Sequence, residues 1–157
     1  MLFNRVIPCL LIEDENLVKT KKFKDPVYIG DPINAVKIFN DKEVDEIIIL
    51  DISKSTSIHG PNFELLESIA SECFMPLAYG GGIRSMEHIS QLTSLGVEKI
   101  VLNTVLNKDP ELVKRAVARF GSQAIIAGVD IKKDFFYRQR VFINGGKEKI
   151  NTNVISY

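Results

Sequence analysis

The chain has 157 residues with a formal net charge of zero, from 20 Lys and Arg against 20 Asp and Glu, and it contains two Cys. This length fits one domain over residues 1–157 with an ordinary hydrophobic core, and two cysteines far apart in sequence exclude a disulfide framework. The charge balance excludes the basic surface that nucleic-acid binding usually needs, and the first apolar run is too short to cross a bilayer. We therefore expect a cytoplasmic protein with neither nucleic acid nor membrane as a partner.

Short apolar runs rich in β-branched residues recur along the chain and alternate with helical patterns. Each run has the length of a strand that is buried on both faces of a parallel sheet. Asp31 and Asp109, each followed by Pro, predict helix starts, and Gly96 and Gly121 predict helix ends. The order, four strand–helix units and then a fifth strand, is typical of a βα repeat. The predicted strands are 6–12, 46–52, 76–79, 99–102 and 124–129.

Two segments depart from this repeat. Residues 13–30 are long for a strand-to-helix connection and rich in Lys, which predicts either a mobile lid that meets a phosphorylated substrate through a lysine or an ordinary solvated loop. From Asp134 onward, aromatic and β-branched residues followed by Asn144, Gly145 and Gly146 predict a β-hairpin set into the loop after the fifth strand.

A candidate phosphate site follows the third and fourth predicted strands. Gly80, Gly81 and Gly82 join a strand directly to a helix, where glycine lets the backbone approach a bound group and the helix start offers N–H groups and a positive dipole end. Asn103 and Thr104 follow the next strand at the equivalent level. The alternative is purely structural: a tight turn at the glycines and a helix cap at the Asn and Thr.

Two aspartates stand at the ends of apolar strands, Asp51 after the second strand and Asp130 after the fifth. In α/β folds ligands and catalytic groups lie at this edge, and a carboxylate that is partly desolvated there can exchange protons near neutral pH. The alternative, above all for Asp51, is a structural role in fixing the next loop. No cluster of His, Cys and Asp has the spacing of a metal site, so we expect no metal and no organic cofactor.

Seven short motifs, spread in order over the whole chain, carry a resemblance to a known family. They are Arg5-Val6-Ile7-Pro8-Cys9-Leu10, Leu17-Val18-Lys19, Gly30-Asp31-Pro32, Leu50-Asp51-Ile52, Tyr79-Gly80-Gly81-Gly82-Ile83, Lys99-Ile100-Val101-Leu102-Asn103-Thr104 and Phe120-Gly121-Ser122-Gln123-Ala124. As a set they are specific, and the chain resembles the HisF family, the cyclase subunit of imidazole glycerol phosphate synthase.

The resemblance implies a fold and a reaction. HisF is a (β/α)8 TIM barrel that forms a heterodimer with a glutaminase, HisH, and passes the ammonia from that partner through the barrel. It joins the ammonia to a phosphoribulosyl aminoimidazole carboxamide nucleotide and so makes imidazole glycerol phosphate and the aminoimidazole nucleotide of purine synthesis. If the chain is catalytic, the resemblance implies a lyase-type cyclase of histidine biosynthesis that acts on a phosphorylated small molecule.

The resemblance also implies roles for individual residues. Asp130 would be the catalytic carboxylate on the fifth strand. The residues implied to meet the substrate and its phosphate are Gly82, Asn103, Thr104, Lys19 in the lid, and Asp51. Those implied for the charged ring at the ammonia entrance are Arg5, Glu46 and Lys99, whose alternative role is an ion-pair network that closes the barrel bottom.

One departure from the family concerns the first strand, where HisF has an aspartate as the general acid and this sequence has Leu11. Leucine cannot transfer a proton, and losing one acid–base group costs about 10²–10⁴-fold in rate. Glu13 and Asp14 follow the predicted strand and are poorly placed to replace the acid. The substitution is similar to a HisF-like branch of surface-glycan pathways, in which the barrel and its glutaminase supply ammonia to a separate sugar amidotransferase.

The second departure is the length. A (β/α)8 barrel runs to about 250 residues, whereas this chain has five predicted parallel strands and four helices before the pattern stops at Tyr157. We therefore expect a C-terminally truncated, partial barrel. Three hypotheses remain: an ammonia-channelling subunit for glycan amidation, a true cyclase subunit, and a non-catalytic half-barrel that binds phosphorylated ligands or a complementary fragment.

Overall fold

The computed structural model describes residues 4–152, so the end of the sequence pattern at Tyr157 lies outside the described residues. The strands are β1 (Cys9–Glu13), β2 (Asn16–Lys21), β3 (Lys24–Gly30), β4 (Ile47–Asp51), β5 (Leu77–Gly80), β6 (Lys99–Leu102), β7 (Ile125–Ala127), β8 (Asp130–Lys133), β9 (Gln139–Ile143) and β10 (Glu148–Lys149). The helices are α1 (Pro32–Asp41), α2 (Lys54–His59), α3 (Phe63–Glu72), α4 (Met86–Ser94), α5 (Thr104–Lys108) and α6 (Pro110–Phe120).

The main sheet has seven strands in the order β3-β2-β1-β4-β5-β6-β7. Its five strands β1, β4, β5, β6 and β7 run parallel to one another, and helices connect them. The four longer helices, α1, α3, α4 and α6, pack on one face of this sheet. Helices on one face only are the arrangement of a (β/α)8 barrel and not of a doubly wound sheet. The expected fold class is confirmed, with the five parallel strands and four main helices that the sequence predicts.

The hydrophobic core lies between the sheet and the four helices. Because side chains alternate along a strand, every second residue faces the helices and the others face the opposite, concave side. On the helix side Ile47, Ile49 and Tyr79 are at most 1% exposed. The helices contribute Val36, Leu66, Ile69, Ile89, Leu92, Leu112 and Ala116 to the same cluster.

The predicted helix boundaries are confirmed by their capping bonds. The Asp31 carboxylate accepts the N–H of Asn34 at 2.8 Å, and Asp109 accepts the N–H of Leu112 at 3.0 Å. Gly121 follows the last residue of α6 with a φ of +89°, a conformation that glycine adopts without the steric penalty of a Cβ.

Residues 13–30, predicted as a loop, form an antiparallel hairpin instead. β2 pairs with β1, with Leu11 opposite Val18, and β3 pairs with β2. Leu17 and Val18 are buried, and this burial favours an added pair of strands over a solvated loop. The turn at Lys22 and Phe23 has φ values of +53° and +62°, so it reverses the chain without the Gly or Asn that would have predicted it.

The hairpin predicted after the fifth strand is confirmed, and it belongs to a separate three-stranded antiparallel sheet, β10-β9-β8. Its first turn is closed by Asp134, whose carboxylate accepts the N–H groups of Phe136 and Arg138. None of the helices within residues 4–152 is long and apolar enough to cross a membrane.

Candidate functional site

The concave face of the sheet carries a row of small and apolar residues at one level. Strand register aligns Leu11 with Leu50, Leu50 with Gly80, and Gly80 with Val101. Leu11 is partly exposed on this face, whereas its neighbour Ile12 is 1% exposed on the helix side. The position that the resemblance assigns to a general acid is therefore apolar and faces the interior side of the barrel-type sheet.

The glycine turn after β5 is needed for close packing between two loops. Gly82 has a φ of +64°, and a Cβ at this position would collide with the carbonyl oxygen of Thr56 and lie 2.7 Å from its Cγ2. Gly82 and Asn103 each lie two residues beyond the last paired residues of β5 and β6, which are Gly80 and Val101. The glycine thus has a demonstrated structural role, and its role in phosphate binding stays a prediction.

Asn103 and Thr104 lie at the carboxyl end of β6, where their side chains already have protein partners. Asn103 Nδ2 donates to the carbonyl of Gly128 at 2.9 Å, and Thr104 Oγ1 accepts the N–H of Asn144 at 3.0 Å. Asn144 belongs to the turn after β9, so the three-stranded sheet lies against Thr104. A phosphate at this edge would bind beside these contacts or replace the Asn144 N–H.

Asp130 lies beyond the fifth parallel strand and not directly at its end. The strand β7 stops at Ala127, and Asp130 is the first residue of the antiparallel strand β8. Just past β7, the Gly128 carbonyl accepts a hydrogen bond from the Asn103 side chain, and the Gly128 N–H bonds to the Leu102 carbonyl. Partial burial raises the pKa of the Asp130 carboxyl, and the N–H of Gly146 and the charge of Lys132 act in the opposite direction. A carboxyl in this setting can hold or release a proton closer to neutral pH.

Asp51 fixes the loop that follows its strand. Its Oδ1 accepts the N–H of Ser53 at 2.9 Å, and its Oδ2 accepts the hydroxyl of Thr56 at 2.7 Å. Beside it lies a cavity of about 250 Å³ whose lining includes two further carboxylates, those of Asp14 and Glu15. Three carboxylates around one cavity repel an anion, so this surrounding favours the structural role of Asp51 over phosphate binding.

Lys19 projects from β2 with an exposed side chain, opposite Val27 of β3. It lies in the second strand from one edge of the main sheet, and the described hydrogen bonds and ion pairs do not join it to Asp130, Asn103 or Thr104. A role for Lys19 toward a substrate stays a prediction.

The three residues predicted for the ammonia entrance do meet, at the amino edge of the sheet. Glu46, whose side chain is 2% exposed, accepts hydrogen bonds on Oε2 from Arg5 Nη2 at 2.7 Å and from Lys99 Nζ at 2.5 Å. This cluster lies at the opposite end of the strands from Asp130 and Thr104. Both the entrance and the structural ion-pair network predicted from sequence are compatible with this geometry.

Sequence reasoning missed Lys132, whose ammonium lies between the aromatic rings of Phe23 and Phe142 at 4.8 Å and 4.9 Å from their centroids. One signal was available, because residues two apart in a strand share a face and Lys132 lies two residues after Asp130. The contact with Phe23 joins distant parts of the chain and had no local signal. Among residues 4–152, no group of three or more His, Cys, Asp and Glu side chains is arranged to hold a metal ion.

Comparison with known proteins gives a consistent set of relatives. A family model described as "Histidine biosynthesis protein" matches residues 5–157. A Pseudomonas aeruginosa protein named "Putative imidazole glycerol phosphate synthase subunit hisF2" is 48% identical over 100% of this chain and 62% of its own length. "Imidazole glycerol phosphate synthase subunit HisF" of Helicobacter hepaticus is 40% identical over 93% of this chain and 58% of its own. The chain spans about three fifths of the length of these curated relatives.

Proposed function

The chain belongs to the histidine biosynthesis protein family, and from this premise we propose that it is a HisF-like subunit of a glutamine amidotransferase system. In this proposal it receives ammonia from a HisH-like glutaminase and delivers it for the amidation of a sugar by a separate amidotransferase. Leu11 is the observation that favours this function over a cyclase, because Leu11 lies on the concave face at the position where a cyclase needs a general acid.

The amino edge supports an ammonia entrance. Arg5, Glu46 and Lys99 form a compact charged cluster there. On the concave face the strands continue from this cluster with apolar residues, among them Ile48 and Val101. An apolar path excludes the ammonium ion, which would have to leave its hydration shell, far more strongly than it excludes neutral ammonia. Charged residues at the entrance and apolar residues beyond it suit the passage of ammonia.

The carboxyl edge supports a site that has lost one of two acid–base groups. Asp130 remains, with a pKa that burial raises. Ring closure by the cyclase needs a proton donor and a proton acceptor on opposite sides of the forming ring, and Leu11 supplies neither. Because general acid–base groups contribute about 10²–10⁴-fold each, the loss of one leaves a slow cyclase at best.

A true cyclase subunit of histidine biosynthesis is the second candidate function. It is favoured by the presence of Gly82, Asn103, Thr104 and Asp130 and by the names of the relatives. Glu13 is a candidate acid for this function, because it forms part of β1 and does not lie beyond the strand as the sequence predicted. Glu13 lies two residues after Leu11, so it shares the concave face with it.

Ammonium-dependent cyclisation separates the two candidates. The protein is incubated with the phosphoribulosyl aminoimidazole carboxamide nucleotide and an ammonium salt, and imidazole glycerol phosphate is measured by chromatography. We expect no detectable product from the parent protein and a gain of about 10²-fold or more over background in Leu11→Asp. Cyclisation by the parent at an ordinary enzymatic rate, abolished in Glu13→Gln, would establish the cyclase instead.

A further inference from the structure

Two hairpins at opposite edges of the main sheet meet over its carboxyl end. The β2–β3 hairpin extends one edge, and β8 continues the chain from β7 at the other edge. Lys132 of β8 places its Nζ 4.8 Å from the ring centroid of Phe23, at the tip of the β2–β3 hairpin, and 4.9 Å from that of Phe142 in β9. An ammonium within about 6 Å of a ring centroid is attracted by the face of the ring. The Lys132 ammonium therefore holds one aromatic ring from each hairpin unit.

The same ammonium is bound to the turn that follows β9. Lys132 Nζ donates a hydrogen bond to the carbonyl of Gly146 in this turn. Gly146 has a φ of +72°, and a Cβ there would lie 2.7 Å from Lys132 Nζ and 3.0 Å from Phe23 Cγ. The hairpin tip and the lysine thus both pack against Gly146.

We propose that Lys132 is a positioning residue that fastens the tip of the β2–β3 hairpin to the three-stranded sheet, through the ring of Phe23 and the carbonyl of Gly146. The second sheet is anchored over the carboxyl edge at another point as well, where the Asn144 N–H bonds to Thr104. With Lys132 in place, the two units close over the edge that carries Asp130, Asn103 and Thr104. This inference concerns contacts between elements, so its test does not depend on which reaction the protein serves.

Limited proteolysis measures the fastening directly. The hairpin tip carries Lys21, Lys22 and Lys24, so trypsin cleavage there reports how often the tip is released. When opening is fast relative to cleavage, the cleavage rate follows the population of the open form. We expect Lys132→Gln to raise the cleavage rate at the tip about tenfold. Lys132→Arg, whose guanidinium also stacks on aromatic rings, should restore the parent rate.

Lys133→Gln is the matched control, because Lys133 is the adjacent residue of β8 and its side chain is exposed. Equal cleavage rates in Lys132→Gln and Lys133→Gln would overturn the proposal, as would a failure of Lys132→Arg to restore the parent rate. Urea unfolding at an unchanged midpoint shows that the cleavage is local. Phe23→Leu, at a tip residue that is 41% exposed, supplies a second variant that leaves the core intact.

The coupling between Phe23 and Lys132 is tested by combining the two changes. If the residues act through one contact, Phe23→Leu with Lys132→Gln is cleaved no faster than the faster single variant. Multiplication of the two single effects would overturn the proposal. Amide hydrogen exchange at Gly146 reports how firmly Lys132 holds the turn after β9, and we expect it to accelerate in Lys132→Gln and not in Lys133→Gln.

Discussion

Lys99 and Glu46 form an ion pair across an intervening strand: Lys99 Nζ lies 2.5 Å from Glu46 Oε2, although β5 separates β4 from β6. Neighbouring strands are about 4.8 Å apart, so a pair that skips one strand needs two long side chains that reach along the same face. Arg5 completes the cluster from the chain segment before β1, at 2.7 Å from the same oxygen. One buried carboxylate thus joins three parts of the amino edge.

Removing the lysine of this pair should destabilise the protein. Glu46 is 2% exposed, so Lys99→Met leaves a buried carboxylate with Arg5 alone as its cationic partner. We expect the free energy of unfolding to fall by about 2–3 kcal/mol in urea denaturation. The control is Lys114→Met, which removes a lysine from an ion pair with both side chains more than 70% exposed and should cost less than about 0.5 kcal/mol.

The double variant Glu46→Leu with Lys99→Met distinguishes a buried charge from lost packing. Once both charged groups are gone, no unpaired carboxylate remains in the interior, so the double variant should be more stable than Lys99→Met alone. A double variant that is less stable than Lys99→Met would show that side-chain packing, and not the buried charge, accounts for the loss.

Substitution of Gly82 and of Gly96 by Ala separates the cost of overpacking from the cost of backbone strain in the glycine turn. Both have a positive φ, +64° and +96°, but a Cβ at Gly82 meets Thr56 whereas a Cβ at Gly96 meets open space. Gly96→Ala should cost about 1 kcal/mol, from backbone strain alone. Gly82→Ala should cost about 2–4 kcal/mol, because overpacking adds to the strain. Equal losses in thermal or urea unfolding would show that the Thr56 loop yields without cost.

The features that were predictable from sequence are those decided within a few residues. Asp31 and Asp109 cap their helices through the N–H three residues later, so a short pattern predicted both boundaries. The β2–β3 hairpin was missed because its turn uses Lys22 and Phe23 at positive φ and because its register depends on pairing with β1. A local sequence pattern indicates neither this turn nor this register.

The candidate site shows the same limit. The βα repeat predicted that Gly82 and Asn103 follow neighbouring parallel strands, and β5 and β6 do pair in parallel up to Gly80 and Val101. The contact of Lys132 with Phe23 depends on how far the sheet curves, which is the sum of small rotations over all its strands. Periodicity along one strand cannot give that sum. The position of Asp130 in β8 likewise depends on pairing with another strand, because Asp130 lies opposite Phe142 of β9.

Phosphate binding at the carboxyl edge is tested at Thr104. Gly82→Asp would disturb the packing against Thr56 and add a charge, so its effect on binding would have two causes. Thr104→Val keeps the shape of the side chain and removes the hydroxyl, together with the bond that this hydroxyl accepts from the Asn144 N–H. We expect it to weaken the binding of inorganic phosphate, measured by calorimetry, about fivefold to tenfold. Thr93→Val, on the remote helix α4, is the control and should bind like the parent; a Thr104→Val protein that also binds like the parent would exclude the hydroxyl from the site.

The buried phenol of Tyr79 should make the free energy of unfolding fall at alkaline pH. Its side chain is 1% exposed, and within residues 4–152 its hydroxyl has no hydrogen-bond partner. Burial, and secondarily the negative charge of Asp51, raises the pKa of Tyr79 far above its ordinary value of 10.0. The folded protein therefore keeps this phenol protonated at pH values where the unfolded chain ionises it. The stability that this difference contributes is complete below pH 10 and is lost as the pH rises above it.

Tyr79→Phe isolates the effect. The variant removes a buried hydroxyl without a partner, so at pH 7 we expect it to be about as stable as the parent or more stable by about 1 kcal/mol. Between pH 7 and 11 the parent should lose about 1.4 kcal/mol relative to the variant, about 1 kcal/mol of it between pH 10 and 11, because unfolding releases up to one proton per molecule over this range. Tyr137→Phe, at a residue that is 82% exposed, is the matched control and should follow the parent. The measurement is urea unfolding at pH 7, 10 and 11, and a constant difference between parent and Tyr79→Phe over this range would mean that the Tyr79 phenol ionises equally in the folded and unfolded states.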